Sequence, residues 1–142
     1  MIEKIDDFSE EYYFLSNFYL AKVEYKGIIY PHNEAAFQAQ KTHDKKVRKI
    51  FSYLTPNDAK YLGRNIRLRS DWNEIKDNIM FEICYAKFTQ NWELKKKLLD
   101  TDDAILIEGN TWHDKYWGVY KNEGQNKLGK ILMKIREQLK EG

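Results

Sequence analysis

A chain of 142 residues is long enough to bury an apolar core without disulfides or metal staples. Its 24 Lys and Arg against 22 Asp and Glu leave a formal charge of +2, which excludes the strongly basic footprint of a dedicated DNA-binding domain. No apolar run reaches the length of a membrane span, no basic stretch followed by an apolar one opens the chain, and the lone Cys84 has no internal partner, so a cytoplasmic, reducing setting is expected.

In chain order, Tyr12 to Tyr19 and Lys22 to Tyr25 predict extended segments, Lys26-Gly27 a turn, and Ile28 to Tyr30 a strand that Pro31 ends. Asn33 predicts an N-cap for a helix from Glu34 towards His43, and Lys45 to Tyr53 predicts a second short helix. Thr55-Pro56-Asn57-Asp58 is a start signal, with a capping hydroxyl, a proline in the first turn and an acid three residues after the cap; Gly63 predicts the stop. Ser70-Asp71 opens the longest helix. Its Trp72, Ile75, Ile79, Ile83 and Ala86 form one stripe and Phe81, Tyr85 and Phe88 another, which predicts a central helix buried on two faces. Ala104 to Ile107 predicts a short buried strand, and Leu128, Ile131, Leu132, Ile135 and Leu139 a closing amphipathic helix. Without repeat, linker or low-complexity tract, the prediction is a single α+β domain over residues 1–142, mainly helical with a small β-sheet.

Ten Tyr, seven Phe and four Trp make up 15% of the chain, more rings than a small core demands. Four constellations set such rings beside polar groups. Glu34, Phe37, Gln38 and Lys41 fall on one helical face, and a first-turn Glu is favoured as the carboxylate, which suits a base, a nucleophile or a cation stabiliser. A routine first-turn Glu is the plainer alternative. After the strand at Ile107, the loop to Gly118 offers Asp114 as a second carboxylate, Trp117 as a stacking plate and Gly118 as a close approach to backbone, unless it is simply a packed Trp-rich turn. Gly124 to Gly129 opens the last helix, where free N–H groups suit a phosphate and ordinary capping by Asn126 explains the same residues.

The fourth set, Asn17-Phe18-Tyr19, Arg64, Trp72 and Lys87, lies near apolar segments. Lys87 sits between Ala86 and Phe88, so its ammonium needs a carboxylate or a phosphate unless it snorkels to water. His32, His43, His113 and Cys84 lack metal-ligand spacing, no nucleophile elbow or P-loop occurs, and Lys45-Lys46 and Lys95-Lys96-Lys97 read as solvated helix surface.

Taken together, in order and spacing, the segments resemble the NADAR family of YbiA-like N-glycosidases. The matching stretches are Phe14-Leu15-Ser16-Asn17-Phe18-Tyr19, Glu34 to Lys41, Arg69-Ser70-Asp71-Trp72, Met80 with Lys87-Phe88, Leu106-Ile107-Glu108, Asp114-Lys115-Tyr116-Trp117-Gly118 and Gly124 to Arg136. The resemblance implies a mainly helical α+β fold, no metal or cofactor, and hydrolysis of the N-glycosidic bond of a phosphate-bearing ribosyl substrate. That substrate is either a phosphoribosylamino-pyrimidine intermediate of riboflavin synthesis or ADP-ribosyl-guanine in nucleic acid. On this reading Glu34 and Asp114 are the reacting carboxylates, Trp72 and Trp117 wall the base, and Lys41 and Lys87 meet phosphate or fix the carboxylates. Asn17, Gln38 and Asn126 hold sugar or phosphate oxygens, and Phe18, Arg64 and Gly118 complete the substrate contacts. A module that binds ADP-ribose or NAD without cleaving it is the rival reading. A protein-interaction role is discouraged by the Glu34-to-Lys41 face, because interfaces are depleted in Glu and Lys.

Overall fold

The computed structural model describes residues 2–142. In chain order the elements are β1 (Lys4–Ile5), a 3-10 helix (Glu10–Leu15), β2 (Leu20–Tyr25), β3 (Ile28–His32), α1 (Asn33–Ala39), α2 (Lys45–Phe51), α3 (Pro56–Asn65), α4 (Trp72–Gln90), α5 (Trp92–Leu99), β4 (Ile105–Leu106) and α6 (Lys127–Glu141). The mainly helical α+β architecture holds, with two separate two-stranded sheets where one was expected. The chain forms two compact units, one continuous from Asn17 to Asn91 and one assembled from the residues up to Ser16 together with Trp92–Gly142.

In the continuous unit, β2 and β3 pair antiparallel through Tyr25↔Ile28, and the turn places Lys26 at φ 50 and Gly27 at φ 86. Two left-handed central residues match the strand twist, which is why glycine follows lysine here. Alternation buries Val23, Tyr25, Tyr30 and His32 and leaves Leu20 and Ile29 in solvent. Pro31 does not end β3: in a two-stranded sheet the missing N–H can face outward, and the strand continues to His32.

His32, and not Asn33, caps α1. Its Nδ1 accepts the Ala35 N–H at 3.0 Å while Nε2 lies 2.8 Å from the Leu54 carbonyl, a geometry that requires the neutral Nε2–H ring. Burial lowers the pKa of His32 and favours that form. All seven residues of α1 are buried, and the helix ends at Ala39, short of His43. Thr55 caps α3 as expected, but α3 continues through Gly63 to Asn65. In α4 one face is buried, through Ile79, Met80, Ile83, Cys84, Lys87 and Phe88; Tyr85 is exposed, so the second apolar face is not realised.

In the discontinuous unit β1 runs parallel to β4, with Lys4 opposite Ile105 and Ile5 opposite Leu106. Residues 12–15 are helical, not extended: the adjacent Phe14 and Leu15 are both buried, which a strand's strict alternation does not allow on one side. Leu94 and Leu98 bury one face of α5, and Lys96 and Lys97 lie in solvent. Leu128, Leu132, Ile135 and Leu139 are the inner stripe of α6. No helix of the described residues is long and apolar enough to cross a membrane.

Candidate active site

Within the continuous unit, α1 presents its first turn to a cluster of charges. Glu34 is 9% exposed, and its Oε2 accepts a 2.7 Å hydrogen bond from Gln38 Nε2 one turn along the helix. Burial raises the Glu34 pKa; Gln38, Lys60, Lys41 and Arg64 each oppose that rise. The first-turn position alone suggested a favoured carboxylate. Burial acts against that preference: the net direction is upward, with removal of the carboxylate from water the largest cause.

Lys41 follows α1, and its Nζ reaches the Gly63 carbonyl at 3.4 Å. Its pKa is lowered by burial and held up by Glu34, while Arg64 and Lys76 push it further down. Lys60 and Arg64 stand one turn apart on α3, and Lys60 Nζ is 6.0 Å from the Phe18 ring centre. One buried carboxylate therefore lies in the field of three cations, an excess of positive charge suited to a phosphate.

Asn17 acts at the entrance to α1. Its carbonyl accepts the Glu34 N–H at 3.0 Å, its Oδ1 accepts Asn33 Nδ2 at 3.1 Å, and its own Nδ2 donates to Met80 Sδ at 3.5 Å. Trp72 is 5% exposed with its ring centre 5.0 Å from that of Phe37, so packing covers most of the face expected to stack a base. Lys87 does not snorkel: it is 1% exposed, 5.5 Å from the Tyr19 ring centre and 5.1 Å from that of Phe88. Its pKa is lowered to about 8 by burial, with the neighbouring Cys84 acting in the opposite direction.

Within the discontinuous unit, the loop after β4 is organised by its own side chains. Asp114 Oδ1 accepts the N–H groups of Tyr116 at 3.0 Å and Trp117 at 2.9 Å, while Asn110 bonds both the N–H and the carbonyl of Asp114. The half-buried Trp117 meets Tyr116 edge-on, ring centres 4.8 Å apart. A Cβ at Gly118 would overlap the carboxylate and carbonyl of Glu108 and the amide of Asn110, so the missing side chain makes room for Glu108.

Asn126 is left-handed at φ 51 and makes no side-chain cap for α6. Its Oδ1 accepts the Glu108 N–H and its Nδ2 donates to the Leu106 carbonyl, each at 2.9 Å, so both polar ends of the amide are occupied by the protein. Among the described residues no group of three or more His, Cys, Asp or Glu converges as metal ligands would.

From sequence, three residues of these clusters carry no site role, although Asn33 reads as a cap and Glu108 lies in a family-like stretch. Asn33 is buried and donates to Asn17 Oδ1, Lys60 acts on Glu34 from α3, and Glu108 is a carboxylate only 9% exposed. Only Lys60 left a local signal, its four-residue spacing from Arg64.

Comparison with known proteins agrees with this arrangement of segments. The family model for the NADAR domain matches residues 5–140. The chain is 41% identical over 135 residues to the N-glycosidase YbiA of Shigella flexneri, covering 92% of this chain and 84% of that protein. It is 38% identical over 114 residues to an N-glycosidase of Nostoc punctiforme, covering 75% and 72% of the two chains. A riboflavin biosynthesis protein of Vibrio vulnificus matches at 36% identity over 93% of this chain and 37% of its own length. The solved structure of the Escherichia coli protein YbiA superposes with a TM-score of 0.86 at 37% identity, covering 99% of this chain and 87% of that one. The chain belongs to the NADAR family.

Proposed function

We propose that this chain is an N-glycosidase that hydrolyses the bond between C1′ of a phosphate-bearing ribose and a base nitrogen. The match over residues 5–140 supports treating the chain as one NADAR domain, and relatives named N-glycosidases support the reaction class. The observation that carries the chemistry is Glu34, a buried carboxylate fixed by Gln38 and set among Lys41, Lys60 and Arg64.

Breaking a C1′–N bond builds positive charge on the ribose and negative charge on the leaving nitrogen. Ionised Glu34, largely withdrawn from solvent, stabilises the cationic sugar. Water adds its oxygen to C1′ and its proton goes to the departing base. Lys41, Lys60 and Arg64 hold the phosphate, which places the sugar beside the carboxylate. Asp114 serves by ordering the loop that carries Trp117, through the two backbone N–H groups on its Oδ1.

A small metabolite is the favoured substrate. The net charge of +2 is low for a nucleic-acid surface, and one relative is named for riboflavin biosynthesis. The test is to incubate the purified protein with a phosphoribosylamino-pyrimidine and, separately, with ADP-ribosylated DNA, following ribose phosphate and free base. Release from the first supports the proposal as stated, and release from the DNA alone moves the substrate to nucleic acid. Tight binding by calorimetry with no release from either replaces the hydrolase with a binding module.

A further inference from the structure

Gln38 carries a second reading of the same site. Gln38 is 7% exposed, buried to much the same degree as Glu34. One end of its amide is committed to Glu34 Oε2. The other end, Oε1, is buried without a hydrogen-bond partner among the described residues. That oxygen is turned towards Gly63 of α3, where an added Cβ would overlap Oε1 and Cδ of Gln38. A glycine inside a helix and an orphaned amide oxygen are each unfavourable. Here they meet, and among the described residues the Gln38 side chain makes its hydrogen bond by donating from Nε2 to Glu34 Oε2.

We propose that Gln38 is a positioning residue for the Glu34 carboxylate and not a substrate contact, and that Gly63 provides the space that lets its amide point donor-first. This rests on the N-glycosidase reading above. The reversed amide would set oxygen against carboxylate, an arrangement satisfied only when Glu34 is protonated, so the orientation is tied to the charge on Glu34. The groups acting on Glu34 are Lys60 and Arg64 of α3 and Lys41 beyond the end of α1, and Lys76 of α4 acts on Lys41. From β3, His32 faces the same turn as the cap, and from α4 Cys84 meets Asn33 Nδ2 at 3.6 Å. Gln38 hydrogen-bonds the carboxylate itself.

The experiment follows the Glu34 side-chain carboxyl by carbon-13 NMR through a pH titration, its signal identified by its loss in Glu34→Gln. The titration is run on wild type, Gln38→Leu and Gly63→Ala, alongside pH profiles of kcat and KM. In Gln38→Leu the midpoint moves up by about one pH unit, so that kcat below the midpoint falls about tenfold while KM stays within about twofold. Gly63→Ala shifts the midpoint in the same direction by displacing the amide. Should Gly63→Ala not fold, Gln38→Leu and Gln38→Met decide alone. An unmoved midpoint overturns the proposal, as does a raised KM with an unchanged pH profile, which marks a substrate contact. Because the titration needs no turnover, a shifted midpoint in a protein that cleaves nothing retires the N-glycosidase reading and leaves the positioning role standing.

Discussion

Asn126 clasps both sides of Ile107: its side-chain amide accepts from the Glu108 N–H and donates to the Leu106 carbonyl, each across 2.9 Å. The end of β4 is thereby tied to the start of α6. Asn126→Ala leaves two backbone groups of a buried segment without their partner, and unfolding in urea should show a loss of about 2 kcal/mol. The KM of the variant should stay within about twofold of wild type, since the amide has no free end for a substrate.

Glu34→Gln keeps the shape of the side chain and removes its charge. The turnover number should fall about 100-fold or more, the scale on which one aimed electrostatic group acts. Thermal unfolding should occur at or above the wild-type midpoint, because a buried carboxylate whose pKa is raised costs stability whenever it is ionised. Differential scanning calorimetry beside steady-state kinetics checks both halves.

Neutralising the cations should separate binding from chemistry. Lys60→Ala and Arg64→Ala are each expected to raise KM for a phosphate-bearing substrate about tenfold. Arg64 is exposed, so its effect should shrink as salt is raised from about 0.05 to 0.5 M. A substrate analogue without phosphate should be indifferent to both substitutions.

The buried ammonium of Lys87 predicts an unusual alkaline response. Its pKa is lowered to about 8 in the fold, from an ordinary value of 10.5. Between those values the unfolded chain binds more protons than the folded one, so stability rises with pH in this window. Cys84 opposes the trend, because burial pushes its thiol from 9.0 up to about 12 and stability is lost above the ordinary thiol value. The rise should therefore be clearest between about pH 8 and 9 and absent in Lys87→Met, as followed by urea midpoints at closely spaced pH.

Helical periodicity located α4 and α6, the hydroxyl-proline pair located α3, and the Lys26-Gly27 dipeptide located the hairpin. Each signal is local and survives without knowledge of neighbours. The misread features have their causes elsewhere in the chain. His32 caps α1 because the Leu54 carbonyl fixes its ring. Gly63 looked like a helix stop until Gln38 was seen against it, and Gly118 looked like an opening for ligand until Glu108 was found there. Among candidate site residues, Glu34 with Gln38 and Lys41 was legible as one helical face, while Arg64 stood in a different set and its action on Glu34 appears only in the folded chain. The enclosure that raises the Glu34 pKa was not legible, since burial is a property of the packed chain and not of a four-residue spacing.

The split of the chain into one continuous and one discontinuous unit also bears on which contacts are available at each point of synthesis. Asn17–Asn91 is one uninterrupted stretch, so its internal contacts are all available while the remainder is still on the ribosome. Lys4–Ile5 must wait about a hundred residues for Ile105–Leu106 before its ladder can close. A nascent chain interrupted after Asn91 would carry Lys4–Ile5 without Ile105–Leu106, and that unpaired edge would be open to chaperones or to other chains.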